Sequence, residues 1–231
     1  MIDHCPKCKS TERVKNGHIK GRPRFRCKEC GYDYTVEHKS TSVPADKKRL
    51  ALQMYLEGLG FNSIGRILNV SHVAVLKWIK LYGKQAEELR SEKEIKIIEL
   101  DEMHSYIGSK KNYIWIWIAV DRYGKRFVNF VLGKRDRITC KRLWEKMKGK
   151  SIDHIMTDFW EAYVGVIPTS KHTRSKAETF TVEGYNSLFR HFLARMRRKT
   201  KCYTKSHKML EYSFLLLMLK RNGQLDSIII T

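Results

Sequence analysis

The sequence predicts a multidomain α/β protein, and three observations support this fold class. Two cysteine pairs mark a small N-terminal segment, helical periodicity follows it, and β-strand alternation that later mixes with helical patterns fills the rest of the chain. The length of 231 residues is enough for one large domain and small modules. We therefore predict modules at 1–43 and 45–83, a charged linker or helix extension at 84–94, and a large domain at 95–231.

Basic residues are spread along the whole chain. With 46 Lys and Arg against 24 Asp and Glu, the net charge is +22, for which nucleic acid is the default partner. Anionic lipid is a less suitable partner, because no apolar run reaches the roughly 18 to 20 residues of a membrane span and no basic segment reads as an amphipathic anchor. Since Met1 is not followed by a signal segment, we expect a soluble protein of the reducing cytoplasm, without disulfides.

Four of the six cysteines form two Cys-x-x-Cys steps that are eighteen residues apart. This spacing predicts a closed tetrahedral zinc site, because four thiolates repel one another without a metal and so short a segment has too small a core to fold alone. A rubredoxin-like iron site and a redox pair are the alternatives. Seven Lys or Arg between the pairs, against one acid, favour a DNA-contacting zinc ribbon. The predicted zinc ligands are Cys5, Cys8, Cys27 and Cys30.

The two remaining cysteines, Cys140 and Cys202, have no partner at metal-ligand spacing. Free cysteines are among the most buried residue types. We therefore expect both to be buried thiols.

Residues 45–83 have the pattern of a helix-turn-helix DNA-binding module. Gly65 permits close approach of two helices, Asn69 can adopt the left-handed conformation, and Ser71 can cap the next helix. An ordinary three-helix packing unit is the alternative. In the DNA-binding interpretation, the residues that face a groove are His72, Lys77 and Lys80.

The pattern from about Ile95 predicts an antiparallel meander followed by alternating helices and strands. One short apolar strand ends at Asp158, and such strand ends present site residues in α/β sheets. The predicted strands are 95–107, 113–120, 126–132 and 152–157, and the predicted helices are 137–148, 183–197 and 205–221.

Glu183 is the last acidic residue before a stretch, 184–210, that holds eight Lys or Arg and no carboxylate. A carboxylate that faces DNA phosphates is repelled unless a cation lies between them, which indicates a metal ligand. Alternatively, Glu183 complements the dipole of a helix that Thr181 caps. The residue alone leaves both interpretations open.

In this order, the segments resemble the transposases of the insertion-sequence-one family over nearly the full length of the chain. The back domain looks like the ribonuclease-H-like fold, in which three carboxylates converge on two divalent ions. Twenty-four residues separate Asp158 from Glu183, as in the acidic triad of the family. The resemblance rests on the four-cysteine ribbon, the helix-turn-helix, Leu100-Asp101-Glu102-Met103, Thr157-Asp158-Phe159-Trp160, Thr181-Val182-Glu183-Gly184-Tyr185-Asn186, Arg190-His191-Phe192-Leu193-Ala194-Arg195 and Lys205-Ser206.

The resemblance implies a DNA transposase that binds the terminal inverted repeats of an insertion sequence and uses two Mg²⁺ or Mn²⁺ ions for strand cleavage and strand transfer. It implies that Asp101, Asp158 and Glu183 are the catalytic metal ligands. Glu99 shares a face of the predicted strand with Asp101 and is a rival ligand, whereas Glu102 points to the opposite face.

Two basic residues near the implied triad are expected to contact DNA. Arg190 lies two helical turns after Glu183 and therefore on the same face. Lys176 matches a region of the family just before the glutamate, and a solvated basic loop is the alternative there. Asn186, one turn from Glu183, is expected to orient that carboxylate.

The expected partner is double-stranded DNA, both as inverted repeats and as target. Since two DNA ends must be held at once, we expect at least a homodimer, associated with the nucleoid in a prokaryotic cytoplasm. Two other function classes share these features. One is a sequence-specific DNA-binding regulator with an inactive, oligomerising back domain, and the other is a ribonuclease-H-like nuclease without strand transfer.

Overall fold

The computed structural model describes residues 4–35, 43–86, 89 and 94–229. The chain divides into two compact units, Met1–Pro44 and Ala45–Thr231. The first unit is an antiparallel sheet of β1 (Arg13–Ile19), β2 (Arg22–Cys27) and β3 (Asp33–Thr35), in that order. Its small core consists of Cys5, Cys27 and Tyr34, with Phe25 and Cys30 packed against them. The cysteines therefore supply most of the interior of this unit.

The second unit contains a five-stranded mixed sheet, which confirms the predicted mixed α/β class. Three strands form the predicted antiparallel meander, and the other two add to its edge in parallel. The last of these strands was not predicted. The strands are β4 (Ile95–Tyr106), β5 (Tyr113–Asp121), β6 (Arg126–Gly133), β7 (Ile152–Thr157) and β8 (His172–Arg174), in the order β6-β5-β4-β7-β8.

Helices cover both faces of this sheet. The helices of the second unit are α1 (Ala45–Leu56), α2 (Phe61–Leu68), α3 (His72–Gln85), α4 (Arg137–Met147), α5 (Phe180–Phe192), α6 (His207–Arg221) and α7 (Asp226–Ile229). On one face, α4 packs through Leu143 onto a core that contains Trp117 and Tyr163. On the other face, α5 and α6 pack through Phe189 and Phe214, whose ring centres lie 4.3 Å apart.

The helix that carries Glu183 begins earlier than the sequence predicted. It starts at Phe180, ends at Phe192, and is followed by a separate 3-10 turn at Ala194–Met196. Thr181 lies inside this helix and does not cap it, whereas Glu183 does lie in the first turn, as the alternative interpretation requires. The residue before the helix, Thr179, makes no capping bond with its side chain.

The apolar middle of α6 is buried on two sides. Phe214 faces the sheet, while the opposite side packs against α1 and α3, where the hydroxyls of Tyr55 and Ser213 lie 2.6 Å apart. Tyr212 lies directly against Gly83 of α3, where a Cβ would meet its ring at 2.4 Å. Residues 45–83 thus pack onto the rest of the second unit. Within the described residues, no helix has both the length and the apolar character required to cross a membrane.

The predicted linker or helix extension at 84–94 lies mostly outside the described residues. Within them, α3 continues to Gln85. The assignment of 84–94 therefore stays a prediction.

The turn between α2 and α3 has the local features that the sequence predicted. Asn69 adopts the left-handed conformation, with φ of 49°, and Ser71 Oγ accepts a hydrogen bond from the Ala74 backbone N–H at 3.1 Å. Gly65 lies so close to the turn that an added Cβ would come 2.7 Å from the Val70 carbonyl oxygen. These contacts bring the two helices close together.

We expect Gly65→Ala to lower the free energy of unfolding by about 1–3 kcal/mol, the usual cost of forcing a group into a packed site. Gly184→Ala is the matched control, because a Cβ on Gly184 in α5 would meet no atom within 4 Å. That variant should be stabilised by roughly 0.5–1 kcal/mol through helix propensity. Thermal unfolding of both variants tests the pair, and unchanged stability of Gly65→Ala would contradict the close approach.

Candidate functional site

The four N-terminal cysteines lie together in the first unit. Their Sγ atoms lie within 4.8 Å of one another, with Cys5 and Cys30 at 3.7 Å and Cys8 and Cys27 at 3.5 Å. A tetrahedral zinc site with bonds of about 2.3 Å has sulfur–sulfur distances of about 3.8 Å. The cluster therefore has the ligand type and the spacing that zinc requires.

Two similar turns aim these sulfurs at one point. Each pair is followed by a residue with positive φ, Lys9 at 65° and Gly31 at 68°. The backbone N–H of each donates to the carbonyl of the first cysteine of its pair, Lys9 to Cys5 at 2.9 Å and Gly31 to Cys27 at 3.1 Å. The chain thus folds back over each pair, as a metal knuckle requires.

Ionisation of the thiols is unequal without a metal. Burial acts to raise the pKa of Cys5, but backbone hydrogen bonds from Cys8 and Lys7 lower it to about 7. A backbone hydrogen bond from Ser10 acts to lower the pKa of Cys8, yet burial and the neighbouring thiols raise it to about 12. Bound zinc would neutralise the thiolates and remove this conflict.

Three carboxylates of the second unit meet where β4 runs past the end of β7. The last paired residues of these strands are Glu99 and Met156, and β4 continues beyond them to Tyr106. β7 ends at Thr157, directly before Asp158, and does not extend alongside the rest of β4. Carboxylate oxygens of Asp101, Glu102 and Asp158 lie within 4.8 Å of one another. The structure therefore brings Asp101 and Asp158 together, and Glu102 reaches the same place from the opposite face.

Without a bound cation, the ionised forms of Asp101 and Glu102 are poorly stabilised in this cluster. Burial raises the pKa of Asp101, and the charges of Asp158 and Glu183 act in the same direction, while hydrogen bonds to the carboxylate oppose them. Burial raises the pKa of Glu102 to about 7 although Arg135 acts to lower it. Crowded, desolvated carboxylates retain protons unless a positive ion takes their place.

The raised pKa of Glu102 predicts that the protein, without divalent ions, loses stability as pH rises from about 4.5 to about 7. In the unfolded state the carboxyl of Glu102 has its ordinary pKa of 4.5, whereas in the folded state its pKa is about 7. The folded state binds more protons than the unfolded state in this window. The contribution of Glu102 to the free energy of unfolding is therefore complete below pH 4.5 and is lost as the pH rises through 7. At 1.36 kcal/mol per pKa unit, it is on the order of 3 kcal/mol.

Glu102→Gln should remove this part of the pH profile, because glutamine has no proton to lose. Thermal unfolding between pH 4.5 and 7.5 measures the effect. Glu145→Gln, a change of an exposed residue on α4, is the control and should keep the wild-type profile. A wild-type slope in Glu102→Gln would contradict the prediction.

Two buried oxygens at the cluster, one of them on Glu102 itself, lack partners among the described residues. Glu102 Oε1 and Asn186 Oδ1 form no hydrogen bond within the described residues. Asn186 instead uses its Nδ2 to donate to Asp101 Oδ2 at 2.6 Å, so it holds Asp101 and not Glu183. Carboxylate and amide oxygens are the ligands that Mg²⁺ and Mn²⁺ prefer. The donor set therefore fits a divalent cation.

Glu183 lies near this cluster but outside it. Its side chain is exposed in the first turn of α5, and among the described residues its oxygens are not part of the group within 4.8 Å. Its charge still acts to raise the pKa of Asp101, so Glu183 lies close enough to interact with that carboxylate.

Glu99 has a different role from the one its strand position suggested. It is fully buried, and its Oε1 accepts from Arg122 Nε at 2.5 Å while its Oε2 accepts from the Val182 backbone N–H at 2.9 Å. Arg122 also binds Glu178 Oε2 at 2.8 Å. Both oxygens of Glu99 are thus engaged in fixing the start of α5, next to Glu183. Asp101 is left as the β4 carboxylate on this face that belongs to the carboxylate cluster.

The residues predicted to contact DNA are all at least partly accessible. His72, Lys77 and Lys80 are exposed on α3. Lys176 is exposed in a 3-10 turn before α5, and Arg190 is half-buried near the end of that helix. Their DNA contacts stay predictions.

Similarity to known proteins gives the class and the family of this chain. The family model described as IS1 transposase matches residues 95–217, slightly more than half of the sequence. Insertion element iso-IS1n protein InsB of Shigella dysenteriae is 32% identical over 110 residues, which are 48% of this chain and 84% of that protein. Insertion element IS1 4 protein InsB of Escherichia coli (strain K12) is 35% identical over 108 residues, which are 47% of this chain and 65% of that protein.

These matches define the protein as a transposase. More specifically, the chain belongs to the IS1 transposase family, as the resemblance implied. A solved chain from the simian T-cell lymphotropic virus intasome in complex with PP2A regulatory subunit B56 gamma aligns at a TM-score of 0.34 and 15% identity, covering 61% of this chain and 57% of that one. That similarity is too low to bear on the fold.

Proposed function

We propose that the protein is a metal-dependent DNA transposase that binds the terminal inverted repeats of an insertion sequence, cleaves its ends and joins them to target DNA. The cluster of Asp101, Glu102 and Asp158 carries this proposal. It combines oxygen ligands for a divalent ion with the raised pKa values of Asp101 and Glu102, in a chain of the IS1 transposase family with a net charge of +22.

The ribonuclease-H-like fold is the proposed fold of residues 95–231. The sheet order β6-β5-β4-β7-β8, antiparallel on one side and parallel on the other, supports it. Residues 45–83 are proposed to be a helix-turn-helix, supported by the turn conformation at Asn69 and the cap at Ser71. The cysteine cluster is proposed to be a zinc ribbon.

The proposed catalytic ligands are Asp101, Asp158 and Glu183. Divalent ions held by them would activate an attacking oxygen and stabilise the leaving oxygen of a phosphodiester. In the proposed order, water first frees a 3′-hydroxyl at the end of the insertion sequence, and that hydroxyl then attacks target DNA. The Glu99 contact with the Val182 backbone N–H fixes the start of α5 to β4. Glu183, the next residue of α5, therefore has a defined position near the cluster.

Basic residues supply the proposed DNA contacts. Arg190 and Lys176 flank Glu183 along the chain and would hold phosphates beside the reacting bond. A transposase must hold two ends, so we propose at least a homodimer. The groove-facing residues of the proposed helix-turn-helix are His72, Lys77 and Lys80.

The test is a strand-transfer assay with purified protein, a labelled end of the insertion sequence, target plasmid and Mg²⁺ or Mn²⁺. We expect a joined product that requires the divalent ion. Binding of the end without cleavage would instead support a DNA-binding regulator. Cleavage without joining would support a nuclease.

A further inference from the structure

A pocket of about 440 Å³ lies where helices α1 to α3 meet the segment between α5 and α6. Its apolar wall includes Leu76 and Met209, and its polar wall includes Arg195, Lys201 and Lys205. None of the described residues that line it is acidic. We call it the Arg195 pocket.

Arg195 is a buried cation that contacts two aromatic rings and a hydroxyl among the described residues. It is 8% exposed, and its guanidinium carbon lies 5.6 Å from the ring centre of Tyr55 and 5.4 Å from that of Phe61. Its Nη1 donates to Thr204 Oγ1 at 3.1 Å, its Nε has no hydrogen-bond partner, and no carboxylate of the described residues pairs with it. A buried charge is costly unless it is paired with an opposite charge. An anion from outside the chain would complete this site.

The rim of the Arg195 pocket favours the same kind of ligand. Lys201 and Lys205 are exposed at its edge. His72 also lines it, and this residue belongs to the proposed DNA-facing surface of α3. A DNA strand on α3 would therefore pass the opening of the pocket. A planar guanidinium binds phosphate oxygens in a fork, and lysines add point charges around them.

We propose that the Arg195 pocket binds a phosphodiester group of the DNA backbone and thereby ties α3 to the segment between α5 and α6 when the protein is on DNA. This inference rests on the proposed function in taking DNA as the ligand. It adds a phosphate-binding site that is separate from the carboxylate cluster and from Arg190 and Lys176.

The first test is the salt dependence of binding to a duplex that carries an end of the insertion sequence. Arg195→Met removes the charge and keeps a long apolar side chain. We expect the slope of log affinity against log salt to fall by about one, as for the loss of one phosphate contact. Affinity should fall roughly 10- to 100-fold, in line with one hydrogen bond to a charged group.

Lys141→Ala is the control, because Lys141 is exposed on α4, across the sheet from this pocket. It should keep the wild-type slope. Arg195→Met should also unfold at no lower temperature than the wild type, because it removes a buried unpaired charge. A lower unfolding temperature with an unchanged slope would show a purely structural role and overturn the proposal.

The second test uses Cys202, an exposed thiol that lines the pocket, as a reporter. At a duplex concentration of about ten times Kd, only about a tenth of the protein is free, so alkylation of Cys202 should slow about tenfold. Peptide mass spectrometry separates Cys202 from the other thiols, with buried Cys140 as the unreactive reference. An unchanged rate would overturn the proposal. Protection by inorganic phosphate at equal ionic strength, without protection by duplex, would overturn DNA as the ligand.

These outcomes separate the pocket from the transposase function. A joined product from the wild type, together with an unchanged salt slope in Arg195→Met, would refute the phosphate site and support the transposase function. A reduced salt slope and protection of Cys202, without any joined product from the wild type, would support the phosphate site and refute the transposase function.

Discussion

Asp158→Asn is expected to abolish cleavage and joining of DNA ends while it leaves DNA binding intact. The substitution keeps the size of the side chain but removes one of three carboxylates that lie within 4.8 Å of one another. Loss of a residue that merely supports a metal ligand typically costs 10- to 100-fold in activity or metal affinity. Loss of a ligand itself should therefore reduce strand transfer by at least about 100-fold.

Two measurements separate this effect from misfolding. The metal-free variant should unfold at the wild-type temperature or slightly above it, since one repelling charge is gone. The increase in unfolding temperature on adding Mn²⁺ should be lost. Asp153→Asn, the same change at an exposed position of β7, is the matched control and should behave as the wild type. Normal joining by Asp158→Asn would refute the proposed site.

Local features of this fold could be predicted because adjacent residues determine them. The left-handed turn at Asn69 and the cap at Ser71 depend on the conformational preferences of single residues, and the structure shows both. The end of β7 just before Asp158 was also visible as the end of an apolar run.

The composition of the carboxylate cluster could not be predicted, because it depends on how two distant strands are aligned. Alternation along β4 correctly places Glu102 on the face opposite Asp101. The pairing of β4 with β7 ends before these residues, however, and carboxylate oxygens of both come within 4.8 Å of those of Asp158. The engagement of Glu99 depends on Arg122 and Val182, which lie 23 and 83 residues away. Only the folded register reveals these contacts.

The expectation that Cys202 is a buried thiol is wrong, whereas Cys140 is buried as predicted. Cys140 lies on the inner face of α4. Cys202 lies in the irregular segment between α5 and α6, which has no repeating pattern from which burial could be inferred.

Cys27→Ser is expected to unfold the first unit and to weaken recognition of DNA ends. Cys27 is 1% exposed and belongs both to the sulfur cluster and to the small core of this unit. Structural zinc contributes about 10–16 kcal/mol to the folding of small zinc domains, which is more than so small a core can supply.

Zinc content per chain should accordingly fall from about one to near zero in this variant. The second unit should keep its own thermal transition, because it is a separate compact unit. Cys202→Ser is the control, since Cys202 is exposed and lies outside the sulfur cluster, and it should retain full zinc. Wild-type zinc content in Cys27→Ser would argue against the four-cysteine site. Loss of zinc with unchanged affinity for DNA ends would show that the first unit does not contribute to end recognition.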